Sequence, residues 1–133
     1  ALTWHATCSC RCHCGAVRFT VHFEQCPVLD ICNCSICTPT AYVHILVPRS
    51  AFSLVAGAED LNTYQFNTGS APHLFCQHCG VKSFYVPRSH PDGYSINARC
   101  LLDFDLTDYP IRHFDGRDFE ANIDTLLEQV PRQ

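Results

Sequence analysis

The stretch "TCSCRCHCGAVRF", Thr7 to Phe19, sets cysteines at every second position, Cys8, Cys10, Cys12 and Cys14, and then changes to a different alternation. From Ala16 to Phe23 the apolar residues Val17, Phe19, Val21 and Phe23 alternate with Arg18, Thr20 and His22. That is the period of a half-buried β-strand. The last two thiols before the strand, in Cys12-His13-Cys14-Gly15, form one metal half-site. Cys76-Gln77-His78-Cys79-Gly80 forms another, with the spacing at which two thiolates grip one ion while a glycine relaxes the turn. Two such pairs make a closed tetrahedral thiolate site, which suits zinc. A closed site is structural, and this one would tie the start of the domain to its middle.

A third cysteine group, Cys32-Asn33-Cys34-Ser35-Ile36-Cys37, offers three thiolates and no obvious fourth. Three protein ligands with one open position is the usual arrangement of catalytic zinc. Other readings stand beside it. His44, His73 or another cysteine would complete a structural site, and cysteine spacing alone also accommodates an iron–sulfur cluster. Cys8 and Cys10 read as mobile N-terminal thiols without a ligand role, replaceable by serine with little loss of folding. Cys26 and Cys100 read as small core residues.

Composition narrows the function classes. The chain has 133 residues, 47% hydrophobic and 17% charged, which fits a single globular domain over residues 1–133. Net charge is −4 with nine Lys and Arg, so nucleic-acid binding is not expected. No apolar run reaches the roughly 18–20 residues of a membrane span, and no signal-peptide pattern opens the chain. Eleven cysteines without such a signal, an odd number in C-x-C and C-x-x-C groups, argue for metal binding rather than a disulfide scaffold. The expected compartment is the cytoplasm, with the nucleus as the other candidate.

Most of the chain reads as β-structure. Further strands are expected in Ala41–Pro48, Leu61–Asn67, Lys82–Pro87 and Gly93–Arg99, the last two split by "RSHPDG". The C-x-x-C knuckle then falls at a strand-to-strand turn, and the three-thiol group in a loop entering a strand. Only "RDFEANIDTLLEQV" reads as helix: Phe119, Ile123, Leu126, Leu127 and Val130 share one face, Asp115 is the expected N-cap, and Pro131 stops it.

In order and spacing, "CHCGAVRF", "CNCSIC", "FNTGSAPHLFCQHCGVKSFYVPRS" and "PDGYSINARCLLD" resemble the family of glutathione-dependent formaldehyde-activating enzymes and centromere protein V. The resemblance runs from Cys12 to Asp103, with a weaker echo in "HFDGRDFE"; "CNCSIC" and "FNT" lean toward the centromere protein V branch. It implies a mainly β fold, a β-tent of small antiparallel sheets around zinc. It also implies two zinc ions per chain: a structural one on Cys12, Cys14, Cys76 and Cys79, and a catalytic one on Cys32, Cys34 and Cys37. The founding activity is formation of S-hydroxymethylglutathione from glutathione and formaldehyde, a carbon–sulfur lyase chemistry.

The ligand count fits such chemistry. Zinc held by three thiolates can take a substrate thiol as fourth ligand and lower its pKa, favouring carbon–sulfur bond making or breaking over hydrolysis. Tyr85, Arg88, Asn97 and Arg99 are candidate contacts to an anionic, peptide-like thiol such as glutathione. His73 and His78 are candidate hydrogen-bond partners of the thiolates, and His13 is expected to point away from the metal. Two other functions share these residues: a non-catalytic zinc-stabilised binding module of centromere protein V type, and a lyase or hydrolase of secondary metabolism with a different substrate. No other enzyme motif is present.

Overall fold

The structure is a computed structural model that describes residues 6–65, 72–102 and 104–115. It is mainly β, as the sequence predicts. Among the described residues ten strands follow in order: β1 (Ala6–Arg11), β2 (Arg18–Phe23), β3 (Leu29–Cys32), β4 (Val43–Pro48), β5 (Phe52–Ala56), β6 (Leu61–Tyr64), β7 (His73–Cys76), β8 (Phe84–Tyr85), β9 (Gly93–Asn97) and β10 (Ile111–Phe114). One helical turn, α1 (Cys37–Thr40), lies between β3 and β4. The expected C-terminal helix falls outside the described residues.

The strands form two sheets. The first is three-stranded in the order β1-β2-β5; the second is seven-stranded in the order β10-β3-β4-β9-β8-β7-β6. Every pairing is antiparallel except β10 with β3. The alternation read in Val17 to Phe23 is the observed one: Phe19, Val21 and Phe23 are buried while Arg18 and His22 face out. Phe19 packs on Phe52 of β5 at 5.1 Å and edge-on to Phe84 of β8 at 5.2 Å, while Phe52 stacks on Tyr94 of β9 at 4.2 Å. These rings join the sheets into one apolar layer with Val17, Leu29 and Ile96.

Two readings of the N-terminal half need correction. The run that holds Cys8 and Cys10 is no mobile tail. It is β1, paired in register with β2 from Ala6↔Phe23 to Arg11↔Arg18, and it buries Cys10 to 2% exposure. Cys26 is exposed, not a core residue, whereas Cys100 is buried as expected. Boundaries also move. The strand expected over Lys82–Pro87 contracts to Phe84–Tyr85, and that expected over Gly93–Arg99 ends at Asn97, where a 3₁₀ turn (Ala98–Cys100) begins. Asn97 caps that turn, its side-chain oxygen accepting from the Arg99 N–H at 3.1 Å. Among the described residues no helix is long and apolar enough to cross a membrane.

Candidate metal centres

All eleven cysteines are free thiols, and seven of them gather into two clusters. The sulfurs of Cys12, Cys14, Cys76 and Cys79 lie within 4.8 Å of one another and could hold a metal ion. The chain reaches this arrangement by two matching turns. After β7 the Gly80 N–H donates to the Cys76 carbonyl at 2.8 Å; before β2 the Gly15 N–H donates to the Cys12 carbonyl at 3.2 Å. Both glycines hold positive φ, +77° and +81°, a conformation that penalises any Cβ. Backbone N–H groups of Val17 and His78 donate to the sulfurs of Cys12 and Cys76, each at 3.4 Å. Cys14 stands 3.7 Å from both Cys12 and Cys76. A tetrahedron with metal–sulfur bonds of about 2.3 Å has edges of about 3.8 Å, so the donor set fits zinc in chemistry and in size.

The second cluster is Cys32, Cys34 and Cys37, again within 4.8 Å. Cys32 ends β3 and Cys37 opens α1, so the tight reversal between them folds three sulfurs inward. The turn is closed by Thr38 N–H on the Cys34 carbonyl at 3.2 Å and by Tyr42 N–H on the Cys37 carbonyl at 3.3 Å. Its exit forces Ala41 to φ +52°, an unfavourable region for alanine. Hydrogen bonds from Cys32 and then Cys37 hold the Cys34 thiol far below the ordinary range, while those with Cys32 and Cys34, together with burial, push Cys37 up. Without a metal the negative charge therefore sits on Cys34 while Cys37 keeps its proton, which a metal binding there would displace.

Among the described residues no fourth Cys, His, Asp or Glu joins this cluster. His44, a candidate fourth ligand in the sequence, instead touches Cys37 alone, with Nε2 at 3.2 Å from the sulfur. Its Nδ1 lies 2.7 Å from the Ser95 hydroxyl. Burial and the Lys82 charge lower its pKa to about 3, so the ring is neutral near pH 7. With a metal on the cluster and Cys37 a thiolate, Nε2–H would donate to the sulfur and Nδ1 accept from Ser95. Tyr42 completes the support by donating its hydroxyl to the Ser95 carbonyl at 2.7 Å. His73, the other candidate, lies 2.6 Å from Lys82 Nζ and belongs to neither cluster.

A cavity of about 500 Å³ lies against the second cluster, lined by Cys32, Cys37, Tyr42, Arg99, His113 and Asp115 among others. Of the four residues expected to contact substrate, Arg99 alone lines it. The Arg99 Nε donates to the Ala41 carbonyl at 3.1 Å, which anchors the guanidinium at the wall. Tyr85 is buried, its hydroxyl 3.4 Å from His44 Nδ1. Asn97 uses both ends of its amide internally, on Lys82 and Arg99. Arg88 is exposed and away from the cavity. His78 turns to Asp60 at 2.8 Å and His13 is exposed. His113 and Asp115 carried no sequence signal as site residues, because β10 that brings them has no alternating pattern.

The family model described as glutathione-dependent formaldehyde-activating enzyme matches residues 7–114, both clusters included. The chain belongs to the glutathione-dependent formaldehyde-activating enzyme family. A similar crystal structure is that of a Rhodobacter sphaeroides protein, 32% identical, with a TM-score of 0.68 over 78% of this chain and 99% of that one. The match of this formaldehyde-activating family to residues 7–114 makes β1 and β10, absent from the core resemblance read in the sequence, parts of the family unit.

Proposed function

We propose that the protein is a zinc-dependent carbon–sulfur lyase that joins a small anionic thiol, of which glutathione is the type, to an aldehyde such as formaldehyde, or splits the adduct. The observation that carries this reading is the contrast between the clusters: four sulfurs in one, and in the other three sulfurs beside a cavity. Cys12, Cys14, Cys76 and Cys79 would hold a structural zinc, and Cys32, Cys34 and Cys37 a second. Zinc on three thiolates offers a remaining position to a thiol and lowers its pKa toward neutrality.

The chain's own residues supply the rest. With zinc on the cluster, His44 Nε2–H would donate to the Cys37 thiolate and fix its sulfur, the kind of support that tunes ligand strength. Arg99, held to Ala41 through Nε, presents its remaining N–H groups at the cavity wall, where a thiol's carboxylate would pair with them. Tyr42 closes the inner wall without a free hydroxyl, since its O–H is committed to Ser95. Apolar wall atoms of Ile31 and Val43 limit water around the reacting carbon.

The test follows the exchange of formaldehyde with glutathione by NMR, where the uncatalysed rate is measured in the same tube. Wild-type zinc protein is expected to accelerate exchange, and Cys34→Ser to return it to the background rate with its fold intact. Equal rates with and without wild-type protein, for glutathione and other small thiols alike, would reject the reading.

A further inference from the structure

Lys82 is the sole lysine of the sequence, and it is buried at 9% exposure. Every other Lys or Arg position is an arginine, and an ammonium is ordinarily kept in water. Among the described residues no carboxylate pairs with it. Its Nζ makes one hydrogen bond, donating to His73 Nδ1 at 2.6 Å. It lies over the ring faces of Tyr85 at 4.0 Å and Tyr42 at 4.8 Å. The His73 ring stacks on Tyr85 at 4.7 Å, which fixes the acceptor nitrogen beside the amine. The Tyr85 hydroxyl leads through His44 to Cys37, so the amine stands on the inner side of the three-sulfur cluster.

We infer that Lys82 is an aldehyde-capturing amine, forming an imine with a small aldehyde at a nitrogen packed against the rings of Tyr42, Tyr85 and His73. The amine nitrogen adds to the carbonyl carbon, and the C–N bond forms as the carbonyl oxygen takes a proton from nitrogen. The C–O bond then breaks, the nitrogen lone pair closes the C=N bond, and one water leaves with the second amine proton. No oxidant or reductant is needed. His73 Nδ1, neutral and within hydrogen-bond reach, is placed to pass these protons.

The electrostatic setting agrees. Burial lowers the Lys82 pKa to about 8, partly opposed by the thiols of Cys37, Cys34 and Cys32. The groups facing it are those thiols, the neutral His73 and His44, and Tyr42 and Tyr85, both pushed above the usual phenol range by burial. A desolvated lysine of this kind is the usual form of an imine-forming amine. The choice of an aldehyde as electrophile rests on the function proposed above; the reactivity of the amine does not.

The test is reductive trapping. Zinc-loaded protein at pH 7 is treated with formaldehyde and cyanoborohydride, and methylation is located by peptide mass spectrometry against the N-terminal amine as internal reference. Methylation of Lys82 is expected to be at least about tenfold faster in the folded protein than in the guanidinium-unfolded chain, because more of the amine is unprotonated. Equal or slower labelling in the folded protein would overturn the proposal and leave Lys82 a structural residue. Lys82→Arg, which keeps the charge but cannot form the imine, is expected to lose the label; the folded–unfolded comparison decides even where that variant does not fold. Trapping without any acceleration of thiol–aldehyde exchange would reject the proposed function while Lys82 stands as an aldehyde site. Acceleration without trapping would do the reverse.

Discussion

At the scale of single residues, side chains a few ångströms apart take different roles. His44 and Cys37 are seven positions apart in the chain, yet the ring meets only that one sulfur. His44→Phe keeps the packing against Tyr42 and Tyr85 but removes the donor. It is expected to weaken metal binding at one site of two by about tenfold to a hundredfold, measured by competition with a chromogenic chelator. Arg99→Ala is expected to raise the KM for an anionic thiol about tenfold, about 1.4 kcal/mol, with kcat little changed and with no such effect on a neutral thiol. The seven clustered cysteines were legible because spacing alone brings them out. Arg99 was legible only as one of four candidates. Asn97 and Tyr85 do not line the cavity and are engaged by hydrogen bonds with Lys82, Arg99 and His44, pairings between distant residues that leave no trace in local pattern.

At the scale of elements, strands with clean alternation declared themselves and strands without it did not. Phe19 to Phe23 alternate, so β2 was read correctly. In β1 the inward face is Cys8 and Cys10, and cysteine is ambiguous between core and ligand, so the strand passed for a tail. Its burial changes one expectation: Cys10→Ser puts a hydroxyl where the sulfur has only a 3.9 Å contact to the Cys8 carbonyl. The substitution is expected to destabilise by about 1–2 kcal/mol in chemical denaturation, while Cys8→Ser falls within about 0.5 kcal/mol and both keep full metal content. β10 was missed because "IRHF" is short and its partner β3 lies about eighty residues earlier. What fixes it is a fork of Arg112 on the buried Asp30, Nε to Oδ1 at 2.6 Å and Nη2 to Oδ2 at 2.9 Å. Arg112→Met strands that carboxylate, with an expected loss of about 2 kcal/mol, discounted because Arg112 is partly in solvent. It should also loosen the cavity wall that His113 and Asp115 form.

For the molecule as a whole, the mainly-β class and the two-cluster plan were visible in sequence because knuckle spacings repeat at separated positions, and such a site makes sense only in one unit. Sheet order was not visible. It depends on ring contacts such as Phe19 with Phe84, which no local period encodes. The buried histidines set a pH dependence with a definite sign. His73 and His44 are held neutral, down to about 4 and about 3, by burial first and the Lys82 charge second. Their unfolded forms take up protons below about 6.5, so stability from this source is complete above that pH and is lost as pH falls toward 4. Denaturation midpoints measured from pH 7 to pH 5 at fixed zinc should fall, and His73→Gln should flatten that slope.

The proposed function rests on a cluster of four sulfurs and another of three. That difference is read by zinc content and zinc X-ray absorption, with and without glutathione, on wild type and Cys34→Ser. Two zinc ions per wild-type chain are expected, with a mean of about 3.5 sulfurs per zinc that rises to about 4 with glutathione, and one zinc in Cys34→Ser that is indifferent to thiol. Two zinc ions with sulfur coordination unchanged by any thiol, or no loss of zinc in Cys34→Ser, would contradict it.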